Sequence, residues 1–192
     1  MEYEDEINRV LEKIIIKNDD PEYLFGKANQ CFIEEDYQSA RMFLRMAAEH
    51  EHVKAMYNLG YMLHMGLGGS KDYREAVSWY QKAADKGDAA AQNNLGVCYK
   101  EGKGVKKSSY TAKCLFESSA KQGYAAAQNN LGSILFDVYD KPSEAKKWFE
   151  LAAKNGDDEA KNNLRRMKIK EKGDILGDLF DIGSDIWDFF KR

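Results

Sequence analysis

Apolar residues recur along most of this chain at the three-and-four spacing of a helix rather than the alternation of a strand. At the start, Ile7, Val10, Leu11, Ile14 and Ile15 share one face, which predicts an amphipathic helix over residues 1–18 that caps the next unit. Asp19-Asp20-Pro21-Glu22 then combines a capping carboxylate, an early proline and a first-turn acid, the signals of a new helix running to about Glu34. A partner helix spans Tyr37 to about Glu49. Three further pairs follow, with first helices from about Val53, Ala89 and Ala125 and second helices from about Asp72, Ser108 and Pro142.

These pairs are copies of one unit. The octapeptide AAAQNNLG stands at Ala89–Gly96 and again, 36 residues on, at Ala125–Gly132. The same interval of 36 relates Asn58, Leu59 and Gly60 to Asn94, Leu95 and Gly96, and Ala40, Phe43 and Ala48 to Ala76, Trp79 and Ala84. Beyond Ala120 the interval falls to 33, giving Ala145, Trp148 and Ala153 and then Asn163 and Leu164; Phe25 and Gly26 precede Leu59 and Gly60 by 34. A period of this length marks a solenoid, whose units bury their apolar faces only against neighbours.

Four glycines in phase inside helices, Gly26, Gly60, Gly96 and Gly132, need a compensating gain, because glycine costs about 1 kcal/mol there relative to alanine. Close helix approach against Ala83-Ala84 or Ser119-Ala120 is the expected gain, with Trp79, Phe116, Trp148 and Phe149 filling wider spaces. Gly87, Gly123 and Gly156 close the second helices; Glu51 in that column predicts a different first turn. The turns holding Gly66, Gly68, Gly69, Gly102 and Gly104 are expected at the exposed edge. Asn58, Asn94, Asn130 and Asn163 recur too regularly for selective recognition and are expected to brace the fold.

The motif A-x-x-N-L-G, the turn Gly102, Gly104, Val105, and the segment Ala76, Trp79, Tyr80, Ala83, Ala84, Gly87 together resemble the Sel-one-like repeat (SLR), a relative of the tetratricopeptide repeat. The resemblance covers roughly residues 22 to 167. It implies an all-α, right-handed solenoid: a capping helix over 1–18, four repeats and a closing half repeat over 21–167, and a basic run with an amphipathic helix over 168–192. By similarity to tetratricopeptide repeats, the concave face holds Tyr57, Tyr61 and His64, then Asn93, Val97 and Lys100, then Asn129, Ser133 and Phe136. These positions vary between repeats, as recognition of one partner requires, and mix aromatics with adaptable amides. The resemblance implies a protein-interaction scaffold or adaptor that holds a peptide or protein; the alternative is a dedicated inhibitor or immunity-type protein for one cognate enzyme or toxin.

Composition narrows the classes. A formal charge of −3 and the absence of an early long apolar run point to a cytoplasmic chain with neither nucleic acid nor membrane as partner. Cys31, Cys98 and Cys114 lack zinc spacing; Cys98 falls in a core column and Cys114 in an exposed one. His50, His52 and His64 form no metal motif, and no catalytic constellation can be assembled, so neither enzyme, metal nor cofactor is expected.

The end of the chain departs from the repeat. After a basic run from Lys161 to Lys172, Asp174, Asp178, Asp181, Asp185 and Asp188 form an acidic stripe on a helix. Its apolar residues, among them Leu179, Phe180, Ile186, Trp187 and Phe190, suit a cap over the array or a partner-binding helix, including one that forms a homodimer.

Overall fold

Most of the described helices begin where a side chain accepts one of the first free backbone N–H groups. In the computed structural model, which describes residues 20–168, Asp20 caps α1 (Pro21–Ile33) and Asp36 caps α2 (Tyr37–Glu49). His52 Nδ1 accepts from Ala55 N at 3.1 Å to open α3 (Val53–Met65), and Asp72 opens α4 (Tyr73–Asp85). Asp88 opens α5 (Ala89–Glu101), and Ser108 Oγ accepts from Thr111 N at 3.2 Å ahead of α6 (Ser109–Lys121). α7 (Ala125–Asp137) and α8 (Pro142–Lys154) follow Tyr124 and Lys141, which make no side-chain cap bond. A last helix, α9, covers 158–168, with Asp157 accepting from Ala160 N at 2.8 Å. The described residues contain no strand. The expected helices over 1–18 and 174–190 lie outside them.

The chain divides into two compact units, ending and beginning at Ser119 and Ala120. In the first, α1 packs on α2, α2 on α3, α3 on α4 and α4 on α5, the serial order of a solenoid. In the second, α7 packs on α8. The first unit's core is a continuous cluster of small and large apolar side chains from Leu24 to Cys98. Arg45 of α2 pairs with Glu75 of α4, which also accepts from Trp79 Nε1 at 3.2 Å, tying successive second helices together.

The in-phase glycines do permit close approach, but against rings rather than the expected alanines and serine. A Cβ on Gly60 would lie 2.7 Å from the Tyr80 ring, one on Gly96 2.6 Å from Phe116, and one on Gly132 2.7 Å from Phe149. All three rings are buried, so no room exists for even a methyl group. Their column holds Leu44 in the first pair, and Gly26 has nothing within 4 Å of an added Cβ.

Two turn expectations are corrected. Glu51 adopts φ 62°, the same left-handed conformation as Gly87 at 90° and Gly156 at 93°. Its turn closes like theirs, with Glu51 N donating to Ala48 O and His52 N to Ala47 O, as Gly87 N donates to Ala84 O and Asp88 N to Ala83 O. The backbone hydrogen bonds, with a Glu51–Lys86 ion pair at 3.1 Å, hold a conformation that glycine reaches without side-chain strain. The glycine-rich turns are only partly a free edge, with Gly69 and Gly102 exposed. Gly68 and Gly104 are half-buried, and an added Cβ would strike the carbonyl groups of Tyr37 and Tyr73 respectively.

Two matched tests follow. Gly96→Ala should lower stability by about 1–3 kcal/mol through overpacking against Phe116, whereas Gly26→Ala should raise it by about 0.5–1 kcal/mol through helix propensity. Equal shifts in urea unfolding for the two variants would show that ring contact is not what the glycine column serves. Glu51→Gly should stabilise the chain by up to about 1 kcal/mol by relieving the left-handed strain, read as a higher denaturation midpoint.

Candidate functional site

The first unit holds a groove of about 330 Å³ between α1, α2 and α3. Its floor is Ala28, Leu44 and Met62, all buried. Asn29 and Phe32 of α1 and Tyr57, Asn58 and Tyr61 of α3 complete the lining. Helical spacing explains the grouping: Ala28 and Phe32, like Tyr57 and Tyr61, are one turn apart and share a face. Phe32 remains 41% and Tyr61 39% exposed, large apolar surface that the fold leaves in solvent. Phe32 meets Tyr37 edge-on at 5.3 Å, and Tyr57 lies 6.2 Å from the buried ring of Tyr80. No hydrogen bond ties the Asn29 or Asn58 carboxamide to another described residue.

One turn beyond Tyr61, His64 is half-buried between Tyr73, at 5.1 Å, and Tyr80, at 6.3 Å, with Nδ1 3.8 Å from Cys98 Sγ. Burial and the nearby Lys103 charge hold its pKa below the ordinary histidine value. Burial pushes the Cys98 thiol up to about 11, so the pair does not present the thiolate that cysteine nucleophiles use. Cys98 is fully buried and Cys114 exposed, as their columns predict. No group of three metal-ligating side chains occurs among the described residues.

The structure therefore brings Tyr57 and Tyr61 into one groove and sets His64 beside it. Val97 and Lys100 on α5 are half-buried, whereas Asn93, 6% exposed, is interior and donates to Asn94 Oδ1 at 3.2 Å. Asn94 Nδ2 in turn reaches Tyr80 Oη at 3.4 Å, the bracing role expected of that column, whereas Asn58 in the same column departs from it, lining the groove with no hydrogen bond to another described residue. In the second unit, Ser133 and Phe136 are half-buried beside Asn163 and Arg166. Asn129 is buried there and accepts from Asn163 Nδ2 at 2.9 Å. Leu179, Phe180, Ile186, Trp187 and Phe190 lie outside the described residues. The repeat columns missed Ala28, Asn29, Phe32 and Leu44, because the first unit runs on a shorter interval; the one available signal was the aromatic Phe32 near the end of an apolar helix face. They also missed Gln92 and Gln128, whose amides donate to Ala84 O at 3.3 Å and Ala120 O at 3.2 Å.

Four consecutive matches to the Sel1 repeat cover residues 22–52, 53–88, 89–124 and 125–157. The chain belongs to the Sel1 repeat family. Among solved structures it is similar to c5321, a protective antigen present in uropathogenic Escherichia coli strains displaying an SLR fold, with 33% identity and a TM-score of 0.75 over 81% of this chain and 35% of that one. It is also similar to a Sel1 repeat protein from Oxalobacter formigenes, with 28% identity and a TM-score of 0.68 over 76% of this chain and 62% of that one. A third likeness, to the immunity protein Pa5087 from Pseudomonas aeruginosa, has 22% identity and a TM-score of 0.51 over 69% of this chain and 55% of that one, and concerns the fold alone. The chain thus spans 35% and 62% of the lengths of the first two. No curated protein matches the sequence. The Sel1 fold is commonly a protein-interaction scaffold and its members are generally non-catalytic. No described helix is long and apolar enough to cross a membrane.

The depressed His64 pKa gives a signed prediction. Above the unfolded value of 6.5 the ring is neutral in both states; as pH falls from there toward the lower folded value the unfolded chain binds the proton first, so stability falls, and the loss is complete below the folded value. Urea unfolding at pH 7.5 and 5.0 should show a smaller loss for His64→Gln than for the parent. An identical loss would remove His64 as a cause.

Proposed function

We propose that this Sel1 repeat chain is a protein-interaction module that holds a peptide or protein segment at the groove between α1, α2 and α3, seating one large apolar side chain there. The observation that carries this is the groove itself: an apolar floor flanked by exposed Phe32 and Tyr61, with two carboxamides in the lining. At about 330 Å³ it lies at the small end of the ~300–1,000 Å³ range of ligand clefts, suited to one anchoring residue of a longer partner. Asn29 and Asn58 can donate to and accept from a partner's backbone amide, and the lining residues carry no formal charge. His64, Val97 and Lys100 on the same and following first helices extend the contact in this reading; Ser133 and Phe136 occupy the equivalent register and are likewise half-buried, whereas Asn93 and Asn129 are buried. A dedicated inhibitor or immunity role is a second reading, favoured by the fold likeness to the immunity protein Pa5087.

Phe32→Ala with Tyr61→Ala should reduce capture of a partner from the native host by about tenfold or more, as loss of interface anchors does. The melting temperature should stay close to the parent's, because both side chains are substantially exposed. Undiminished capture would place the interface elsewhere. Recovery of one stoichiometric partner favours the inhibitor reading, and several weak partners the adaptor.

A further inference from the structure

The groove between α1, α2 and α3 coincides with a position that the next helix pair fills with a side chain of its own. α1 and α3 are both 13 residues long and start 53 − 21 = 32 residues apart, whereas α2 and α4 start 73 − 37 = 36 apart. By helix position, Ala28 rather than the expected Gly26 therefore corresponds to Gly60, which is why a Cβ added to Gly26 meets nothing within 4 Å. Phe32 corresponds to His64 by the same step, Leu44 to Tyr80, and Asn58 to Asn94. Around the buried Tyr80 ring lie Gly60, whose added Cβ would be 2.7 Å from it, His64 at 6.3 Å, and Asn94, whose Nδ2 donates to Tyr80 Oη at 3.4 Å. Their counterparts Ala28, Phe32 and Asn58 all line the groove, with Leu44 at its floor in place of the tyrosine. Tyr57, 6.2 Å from Tyr80, has Phe25 as its counterpart, which stacks instead on His52 at 4.5 Å.

Resting on the reading of this groove as an anchor site for a protein segment, we propose that the anchor is a tyrosine of the partner, its ring over Leu44 and Met62 and its hydroxyl hydrogen-bonded to Asn58. The groove is a socket with the surroundings of the Tyr80 ring, and the first pair places only a leucine there. The Asn58 carboxamide, which bonds no other described residue, stands where Asn94 meets the Tyr80 hydroxyl. An aliphatic anchor would cover it without giving it a partner, which costs binding energy. Phe32 and Tyr61 flank the entrance and can meet the incoming ring edge-on. Ala28 carries the Cβ that Gly60 lacks, so a ring rooted on α2 would be crowded, whereas one entering from solvent is free to sit shallower. The uncharged lining suits a phenol and not a phosphorylated tyrosine.

Titration of the full chain with N-acetyl-tyrosine methylamide, followed through the backbone amide signals of Tyr61 and Met62, tests this. Binding should be in the millimolar range expected of so small a probe, and about three- to tenfold tighter than that of the phenylalanine and leucine analogues. Asn58→Leu should abolish the preference for tyrosine over phenylalanine while leaving the phenylalanine analogue bound. Ala28→Gly with Leu44→Tyr should fill the socket from within, holding the parent's melting temperature and losing all three probes; if that variant does not fold, the Asn58→Leu comparison decides. The proposal is overturned if the phenylalanine or leucine analogue binds as tightly as the tyrosine one, which leaves the groove an apolar anchor site; if none of the three shifts those amides, the groove reading falls with it. Binding of p-cresol as tight as that of the tyrosine amide would mean a free small phenol, and shifts on concentrating the parent alone would assign the groove to a second copy; either result also overturns it.

Discussion

The contact on which the helix pairs depend is a glycine pressed against the face of a buried ring. At Gly60 with Tyr80, Gly96 with Phe116 and Gly132 with Phe149, the missing Cβ lets one helix approach the aromatic of its partner more closely than any other residue would allow. Glycine weakens each helix, yet the ring it admits makes dense dispersion contacts and removes a large apolar area from water. Helix spacing follows from that contact, and the orientation of each pair's remaining faces follows from the spacing. The alanines on the second helices, such as Ala76, Ala83 and Ala112, are fully buried because so little room remains.

Polar groups then hold the stacked elements in register. Gln92 and Gln128 reach carbonyl groups near the ends of the preceding helices, satisfying acceptors that a helix terminus leaves open. The turns at Gly68 and Gly104 press on the starts of the second helices before them. The two copies of AAAQNNLG show how context enters: Asp88 accepts from Ala91 N at 2.7 Å before the first copy, whereas Tyr124 gives no side-chain cap to the second.

The groove opens where this regularity lapses. Leu44 stands in the column that later holds Tyr80, Phe116 and Phe149, so the first pair lacks the ring that the later pairs carry there, and Leu44 lines the groove instead. Phe32 shares the groove lining with Tyr57 and Tyr61. A surface selective for one partner requires such departures, because identical repeats present identical chemistry.

Within the described residues, the helices and their approximate limits, the pairing of helices, the family and the buried state of Cys98 were legible in the sequence, because period and capping are local properties of the backbone. Tyr57 and Tyr61 could be picked from it as variable positions. Their joining with Phe32 and Leu44 could not, since that depends on how three separate helices cross. Likewise the column showed that Gly96 is needed but not that Phe116 is the reason, and it showed Glu51 as an exception although its turn closes like the others. Backbone hydrogen bonds and packing, which act between residues distant in sequence or indifferent to side-chain type, decided those points only in the folded chain.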